Sequence, residues 1–216
     1  IGCHAFGTFE PFSMGNSILG YGMSLASAAG VRDIQKKRTI SIMGDGGFWH
    51  NGLQTGVLST LFNEGDAILI IMQNGYSSAT GQQNIPSSRN RTNNRAITGE
   101  IERTLKSLGV KWLKTIRTYS VEVMVETLRD AMTTDFNGLK VIIADGECML
   151  ARQRRLKADN ARKLEGGIRV ETPRFGIDDE VCTGDHSCIR LSGCPSLTIK
   201  PNPDPLRTDP IAHVNN

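Results

Sequence analysis

Thr39-Ile40-Ser41-Ile42-Met43 is a short, apolar, β-branched run, the pattern of a strand buried on both faces of a parallel sheet. It runs directly into Gly44-Asp45-Gly46-Gly47, a carboxylate flanked by glycines, and on through Phe48-Trp49. Asn51 to Leu61 then reads as a helix, with apolar Leu53, Val57, Leu58 and Leu61 at helical spacing. A second apolar run, Ala67-Ile68-Leu69-Ile70-Ile71-Met72, ends on Gln73-Asn74-Gly75-Tyr76. Two buried strands thus deliver a carboxylate and a carboxamide to their C-terminal ends. In an open α/β sheet that edge is where ligands bind.

Hard oxygen donors with room left for waters and phosphate oxygens describe a Mg²⁺ site better than a Ca²⁺ cage. Glycines after Asp45 let backbone N–H groups approach an anion closely, and the N-terminus of the following helix favours negative charge. The plainer alternative is an ordinary strand-to-helix turn with an Asp near the cap, followed by an Asn turn. Both halves at matching strand ends favour the ion site. Asp45 and Asn74 side-chain oxygens, with the Tyr76 backbone carbonyl, are expected to converge on one Mg²⁺ at the sheet edge.

The rest of the chain extends the same pattern. Asn16 to Gly30, rich in Gly, Ala, Ser and Met, reads as a closely packed buried helix with a glycine C-cap. Glu100–Leu108 and Val121–Met132 read as helices, Trp112–Ile116 and Leu139–Ala144 as strands, and Arg89–Asn94 as a mobile polar loop beside the cofactor. Strands alternating with helices give the expected fold class: α/β, a parallel sheet with helices on both faces, followed by an irregular tail. The boundary is placed near residue 150. Residues 1–150 form the ligand-binding domain, 151–175 a basic linker, and 176–216 a cysteine-bearing tail. Arg152, Arg154, Arg155, Lys157, Arg162 and Lys163 make the linker a solvated helix, although such a segment could also dock an acidic redox partner. Pro201, Pro203, Pro205 and Pro210 break up the tail.

A chain of 216 residues, 38% hydrophobic, can bury a substantial core. The formal charge of +3 does not argue for nucleic acid. No apolar run approaches a membrane span, and no signal-peptide pattern opens the chain. Three of the five cysteines crowd one segment, which suits metal or iron–sulfur ligation in a reducing cytoplasm better than disulfides. Cys182, Asp185, Cys188 and Cys194-Pro195 resemble the bacterial ferredoxin run, with two departures: Asp185 stands at the second ligand position, and the gap before Cys194 is long. A carboxylate holds iron less firmly than thiolate. A four-iron cluster held partly by Asp185, a three-iron cluster lacking that corner, a zinc site and a loop without metal all stay open. By the ferredoxin crossover, Cys194 would serve a second cluster. The chain opens inside a motif and ends without a terminating element, so a fragment of a larger protein is expected, its tail truncated.

The Gly44-Asp45-Gly46…Asn74 pair resembles the signature of thiamine diphosphate enzymes. Within them the chain is more closely similar to the 2-oxoacid:ferredoxin oxidoreductases, in particular the large or fused subunit of the indolepyruvate:ferredoxin type. Ile1-Gly2-Cys3 resembles that family's segment beside the aminopyrimidine, Asn74 to Gly81 its metal loop, with Thr80 at a characteristic Thr, and Cys182 to Pro195 its ferredoxin-like tail. The resemblance implies the diphosphate-binding half of the thiamine diphosphate fold. Its cofactors would be thiamine diphosphate, Mg²⁺ and iron–sulfur clusters. Cofactor contacts would come from Gly2, Cys3, Gly44, Asp45, Gly46, Gly47, Asn74, Tyr76 and Thr80. It also implies oxidative decarboxylation of a 2-oxoacid such as indolepyruvate, with coenzyme A taking the acyl group and ferredoxin the electrons. The carboxylate that polarises the aminopyrimidine would come from a partner pyrimidine-binding domain, absent from these residues. That domain and a gamma-type domain would belong to the same oligomeric enzyme, and the fragment alone would be inactive. A non-oxidative 2-oxoacid decarboxylase shares the signature but needs no cysteine tail. A non-catalytic interaction domain of this fold is the alternative of another class.

Weaker signals complete the reading. His50, at the start of the helix after the loop, could bring its imidazole to the reacting carbonyl as the catalytic residue, or face solvent. Cys3 reads as packing on the cofactor ring, Cys148 as a small buried hydrophobe, and His4 and His186 as surface residues. Phe48 and Trp49 either wall the site or fill core.

Overall fold

A computed structural model of the chain describes every residue except Ile1, Asn16, Arg32, Asp33, Gln35, Lys36, 89–99, Thr172, 193–195 and Asn216, and describes Cys3 without its side chain. The expected loop at Arg89–Asn94 therefore lies outside the described residues. Two compact units divide the chain, Ile1–Lys157 and Ala158–Asn216.

The first unit is built on four parallel strands in the order β1-β2-β4-β3. These are β1 (Thr39–Gly44), β2 (Ala67–Gln73), β3 (Trp112–Arg117) and β4 (Lys140–Asp145). The two central strands, β2 and β4, carry the longest unbroken apolar runs because both of their faces are covered. Alternation along β2 sends Leu69 and Ile71 to one core and Ile68 and Ile70 to the other. The first core is closed by Leu25 of α1 (Ser24–Gly30), Phe48 and Val57 after β1, and Ile101 and Leu105 of α4 (Glu100–Ser107). Met124, Leu128 and Ala131 of α5 (Val121–Thr133) close the second. Each fully buried Leu or Ile contributes on the order of 2 kcal/mol. The four expected strands, the helices around them and their placement on both faces of the sheet are thus present.

At the N-terminal edge of the sheet an ionic clamp ties the strands together. Lys140, 0% exposed, pairs with Asp66 and donates to the Gly138 carbonyl at 2.9 Å. Arg38 Nε donates to the other Asp66 oxygen at 2.9 Å, and its guanidinium reaches the carbonyls of Met132 and Phe136 at the end of α5.

The helix expected over Asn16–Gly30 is much shorter. It begins only at Ser24, Leu25 is its one fully buried residue, and Val31, not a glycine, caps it. Gly20 and Gly22 have φ of +51° and +76°, which stops a helix upstream of Met23. Conversely, the helix after β1 starts earlier than Asn51. A turn at α2 (Asp45–Gly47) continues through a π-helical stretch, Phe48–Leu58, into α3 (Ser59–Phe62), with helical dihedrals at both joins. Asp45 is therefore itself the first helical residue. A wide helix of this kind is rare and collects at functional sites.

α6 (Met149–Glu165) has no fully buried residue, as a solvated basic helix should, and the division between the units falls inside it. In the second unit, α7 (Ser187–Ser192) precedes an antiparallel pair, β5 (Leu197–Lys200) with β6 (Ile211–Val214). The tail is thus less irregular than its prolines suggest. Pro201, Pro203, Pro205 and Pro210 all lie in the connection from Lys200 to Ile211, where no ladder donor is lost. Among the described residues no helix is long and apolar enough to cross a membrane.

Candidate functional site

Parallel register places Gly44 of β1 beside Met72 of β2, so Asp45 and Asn74 leave neighbouring strands at the same edge. Asp45 is 1% exposed. Its Oδ1 accepts the Gly46 N–H at 2.9 Å, and its Oδ2 accepts those of Asn74 and Gly75 at 2.9 and 2.6 Å. The Asn74 carboxamide oxygen turns back on its own loop, accepting from Tyr76 N at 3.0 Å and Ser78 Oγ at 3.1 Å. The Asp45 carboxylate is therefore tied to the second strand end through the Asn74 and Gly75 backbone. Burial pushes the Asp45 carboxyl up to about 6, against the pull of its backbone donors.

All of these donors are neutral backbone groups. A buried, desolvated carboxylate is what a hard cation stabilises, so the residues fit Mg²⁺. The would-be Cβ positions of Gly44 and Gly75 are free of neighbours within 4 Å, and Gly75 has φ +83°, leaving the backbone open to a ligand at both strand ends. At Gly46 and Gly47 the would-be Cβ positions are occupied. Tyr21 and Ser77 pack against the first and Gly22 against the second.

Tyr21, which sequence reasoning passed over, lies at the centre of this packing. Its hydroxyl meets Ser77 Oγ at 2.7 Å, and Ser77 Oγ meets Thr80 Oγ1 at 3.2 Å. Thr80 is exposed and donates to Gln83 Oε1. Ser77 N and O exchange hydrogen bonds with Gln83, closing the loop on itself. His50 is exposed and inside the π-helical stretch, its ring 5.3 Å from that of Tyr21. Phe48 fills core, whereas the half-buried Trp49 donates its indole N–H to Ser87 Oγ at 2.9 Å. Gly2 is half-buried next to Cys3–Thr8, a 3₁₀ turn; the Cys3 side chain lies outside the described residues. The only signal that could have singled out Tyr21 is its place between two glycines.

Cys148 is not a buried hydrophobe. It is half-buried just before α6, and although burial pushes its thiol up, N–H groups of Ala151 and Leu150 and the side chains of Ser78 and Gln82 outweigh that and lower it. His4 is half-buried, and desolvation lowers its pKa; His186 is also half-buried, its Nε2 3.1 Å from the Pro210 carbonyl. In the tail, Asp185 is exposed and its carboxylate accepts from Thr183 Oγ1 and Ser187 N, both at 3.2 Å, at the start of α7. Cys182 and Cys188 are free thiols, and Cys194 lies outside the described residues. Among the described residues no three His, Cys, Asp or Glu side chains gather as a ligand set.

Residues 1–144 match the family described as thiamine pyrophosphate enzyme, C-terminal TPP binding domain. The chain belongs to this family. Among curated relatives, the indolepyruvate oxidoreductase subunit IorA of Pyrococcus horikoshii is 24% identical, the match covering 98% of this chain and 33% of the relative. The subunit of the same name from Archaeoglobus fulgidus is 27% identical over 91% of this chain and 30% of its own length. The thiamine pyrophosphate-binding chain described here thus spans about a third of the length of these relatives. A solved structure, the 2-oxoglutarate:ferredoxin oxidoreductase from Magnetococcus marinus, is similar with a TM-score of 0.49 at 16% identity, covering 60% of this chain and 46% of the other.

Proposed function

We propose that this chain is the diphosphate- and metal-holding part of a thiamine diphosphate-dependent 2-oxoacid oxidoreductase of the indolepyruvate type. The observation that carries the reading is the buried, desolvated Asp45 carboxylate, joined to Asn74 and Gly75 across two strand ends. Asp45, the Asn74 carboxamide and the Tyr76 carbonyl would hold Mg²⁺. Backbone at Gly44, Gly46, Gly47 and Gly75 would face the diphosphate, with Thr80, Gly2 and Cys3 along the remainder of the cofactor. When bound, the cofactor supplies the nucleophilic carbon that makes decarboxylation of a 2-oxoacid possible.

The chain's own residues bind and orient. Asp45 places one negative charge in a dry position where a cation gains most from it, and its three backbone bonds fix that charge before any ligand arrives. His50, exposed at the same edge and packed against Tyr21, is the imidazole available to hold or pass a proton. The wider activity belongs to the longer enzyme: indolepyruvate or a related 2-oxoacid as substrate, coenzyme A as acyl acceptor, ferredoxin as electron acceptor, and a pyrimidine-binding domain supplying the missing carboxylate. Iron–sulfur ligation by Cys182, Asp185, Cys188 and Cys194 is part of the same proposal. It requires Asp185 to leave its bonds to Thr183 and Ser187 and cysteines from elsewhere to complete the set.

Calorimetric titration of thiamine diphosphate into the enzyme carrying this chain tests the reading. Binding should depend on Mg²⁺ and be abolished by Asp45→Ala. Indolepyruvate and coenzyme A should then reduce a one-electron acceptor. Aldehyde release independent of coenzyme A would point to the decarboxylase, and absence of thiamine diphosphate binding to an interaction domain.

A further inference from the structure

We infer that Tyr21 is a positioning residue for the metal–diphosphate anchor, pinning the loop that carries Asn74 and Tyr76 against the Gly44–Gly47 turn through its hydroxyl bond to Ser77. The inference rests on reading that edge as the thiamine diphosphate anchor and adds a residue outside its ligand set.

Three glycines make this one contact possible. Gly20 and Gly22, both with positive φ, bend the chain on either side of Tyr21. A Cβ at Gly22 would overlap the Gly47 carbonyl oxygen and lie 2.9 Å from Gly52 N, so only glycine lets this segment press onto the start of the helix. A Cβ at Gly46 would overlap the Tyr21 hydroxyl oxygen itself and lie 3.1 Å from Ser77 Cα. The second glycine of the Gly-Asp-Gly turn therefore makes room for a phenol, one that crosses from the β1 turn to the β2 loop.

Without that bridge the two halves of the anchor are tied mainly by the Asp45 carboxylate. Those bonds hold the loop at Asn74 and Gly75, its first two residues. Tyr21 holds it farther along, at Ser77, where the chain has already passed Tyr76 and where Ser77 is in turn bonded to Thr80 and Gln83. With both ends fixed, the Tyr76 carbonyl and the Asn74 carboxamide have little freedom to leave a shared ion. The His50 ring packs against the phenol as well, tilted by 51° at 5.3 Å.

The test uses Tyr21→Phe, Ser77→Ala and the double variant in the full enzyme, with thiamine diphosphate and Mg²⁺ titrated by calorimetry. Removal of one well-formed hydrogen bond should weaken binding about tenfold in each single variant. The double variant should be no weaker than Ser77→Ala, because that change already removes the Tyr21 bond together with the Thr80 contact. In the ligand-free proteins, amide exchange at Tyr76 and Ser77 should speed up while the global unfolding midpoint barely moves. Binding within about twofold of wild type, or single-variant losses that multiply in the double variant, would overturn the role of Tyr21 while leaving the anchor intact. Failure of the wild-type enzyme to bind thiamine diphosphate would overturn both.

Discussion

Replacing Asp45 by Asn removes a charge from a site that the fold keeps dry, and the ligand-free protein should respond in a pH-dependent way. The carboxyl is raised from 3.8 to about 6 in the folded chain. A group raised on folding contributes stability that is fully present below its unfolded value and is lost as pH rises through its folded value. The difference corresponds to about 3 kcal/mol, of which roughly 2 kcal/mol falls between about pH 4.5 and pH 8. Asn does not titrate. It must also turn its amide towards one of three backbone N–H groups, a pH-independent loss of about 1–3 kcal/mol. Other carboxylates titrate equally in both proteins, so the comparison isolates Asp45. Urea unfolding without metal should show the stability of the variant relative to wild type rising by about 2 kcal/mol from pH 4.5 to pH 8. Saturating Mg²⁺ and thiamine diphosphate should make the wild type the more stable of the two at pH 8, because its carboxylate holds the ion more firmly than a carboxamide can. A stability gap that moves by less than about 0.5 kcal/mol over that range would refute the account of a desolvated carboxylate waiting for a cation.

Asp66→Ala should destabilise the chain by about 3–5 kcal/mol in urea unfolding, since it strands the fully buried Lys140, whereas adding Lys140→Met to that variant should recover part of the loss. Partial burial pushes the Asp66 carboxyl up, but hydrogen bonds and charge from Lys140 and Arg38 outweigh it and hold it below its ordinary value. Its contribution should therefore be present above about pH 4 and be lost as pH falls through that lowered value, a slope that Asp66→Asn should remove. Gly22→Ala should cost more than about 2 kcal/mol, because the position combines φ +76° with an overlap onto the Gly47 carbonyl; a cost below about 0.5 kcal/mol would mean that Tyr21 can be held another way.

β2 and β4 were legible in the sequence because a strand covered on both faces must be apolar without interruption, and nothing else in the chain looks like that. The placement of Asp45 and Asn74 followed from the same fact: residues that end adjacent parallel strands share an edge whatever the rest of the chain does. Residues 16–30 were not legible, because small residues serve a close-packed helix and a backbone pressed against a helix start equally well. Only the Gly47 carbonyl, standing where a Gly22 Cβ would go, tells the two apart. Asp185 could be read from spacing as a ligand, whereas its bonds to Thr183 and Ser187 depend on the local turn and not on the interval between cysteines. The strand pattern and the two polar residues at its ends were determined by sequence, since burial and side-chain period act locally along the chain. The contacts of Tyr21, 56 residues from Ser77, and the loss of Asp45's water were decided by tertiary structure alone, because each depends on which distant backbone arrives to take the space.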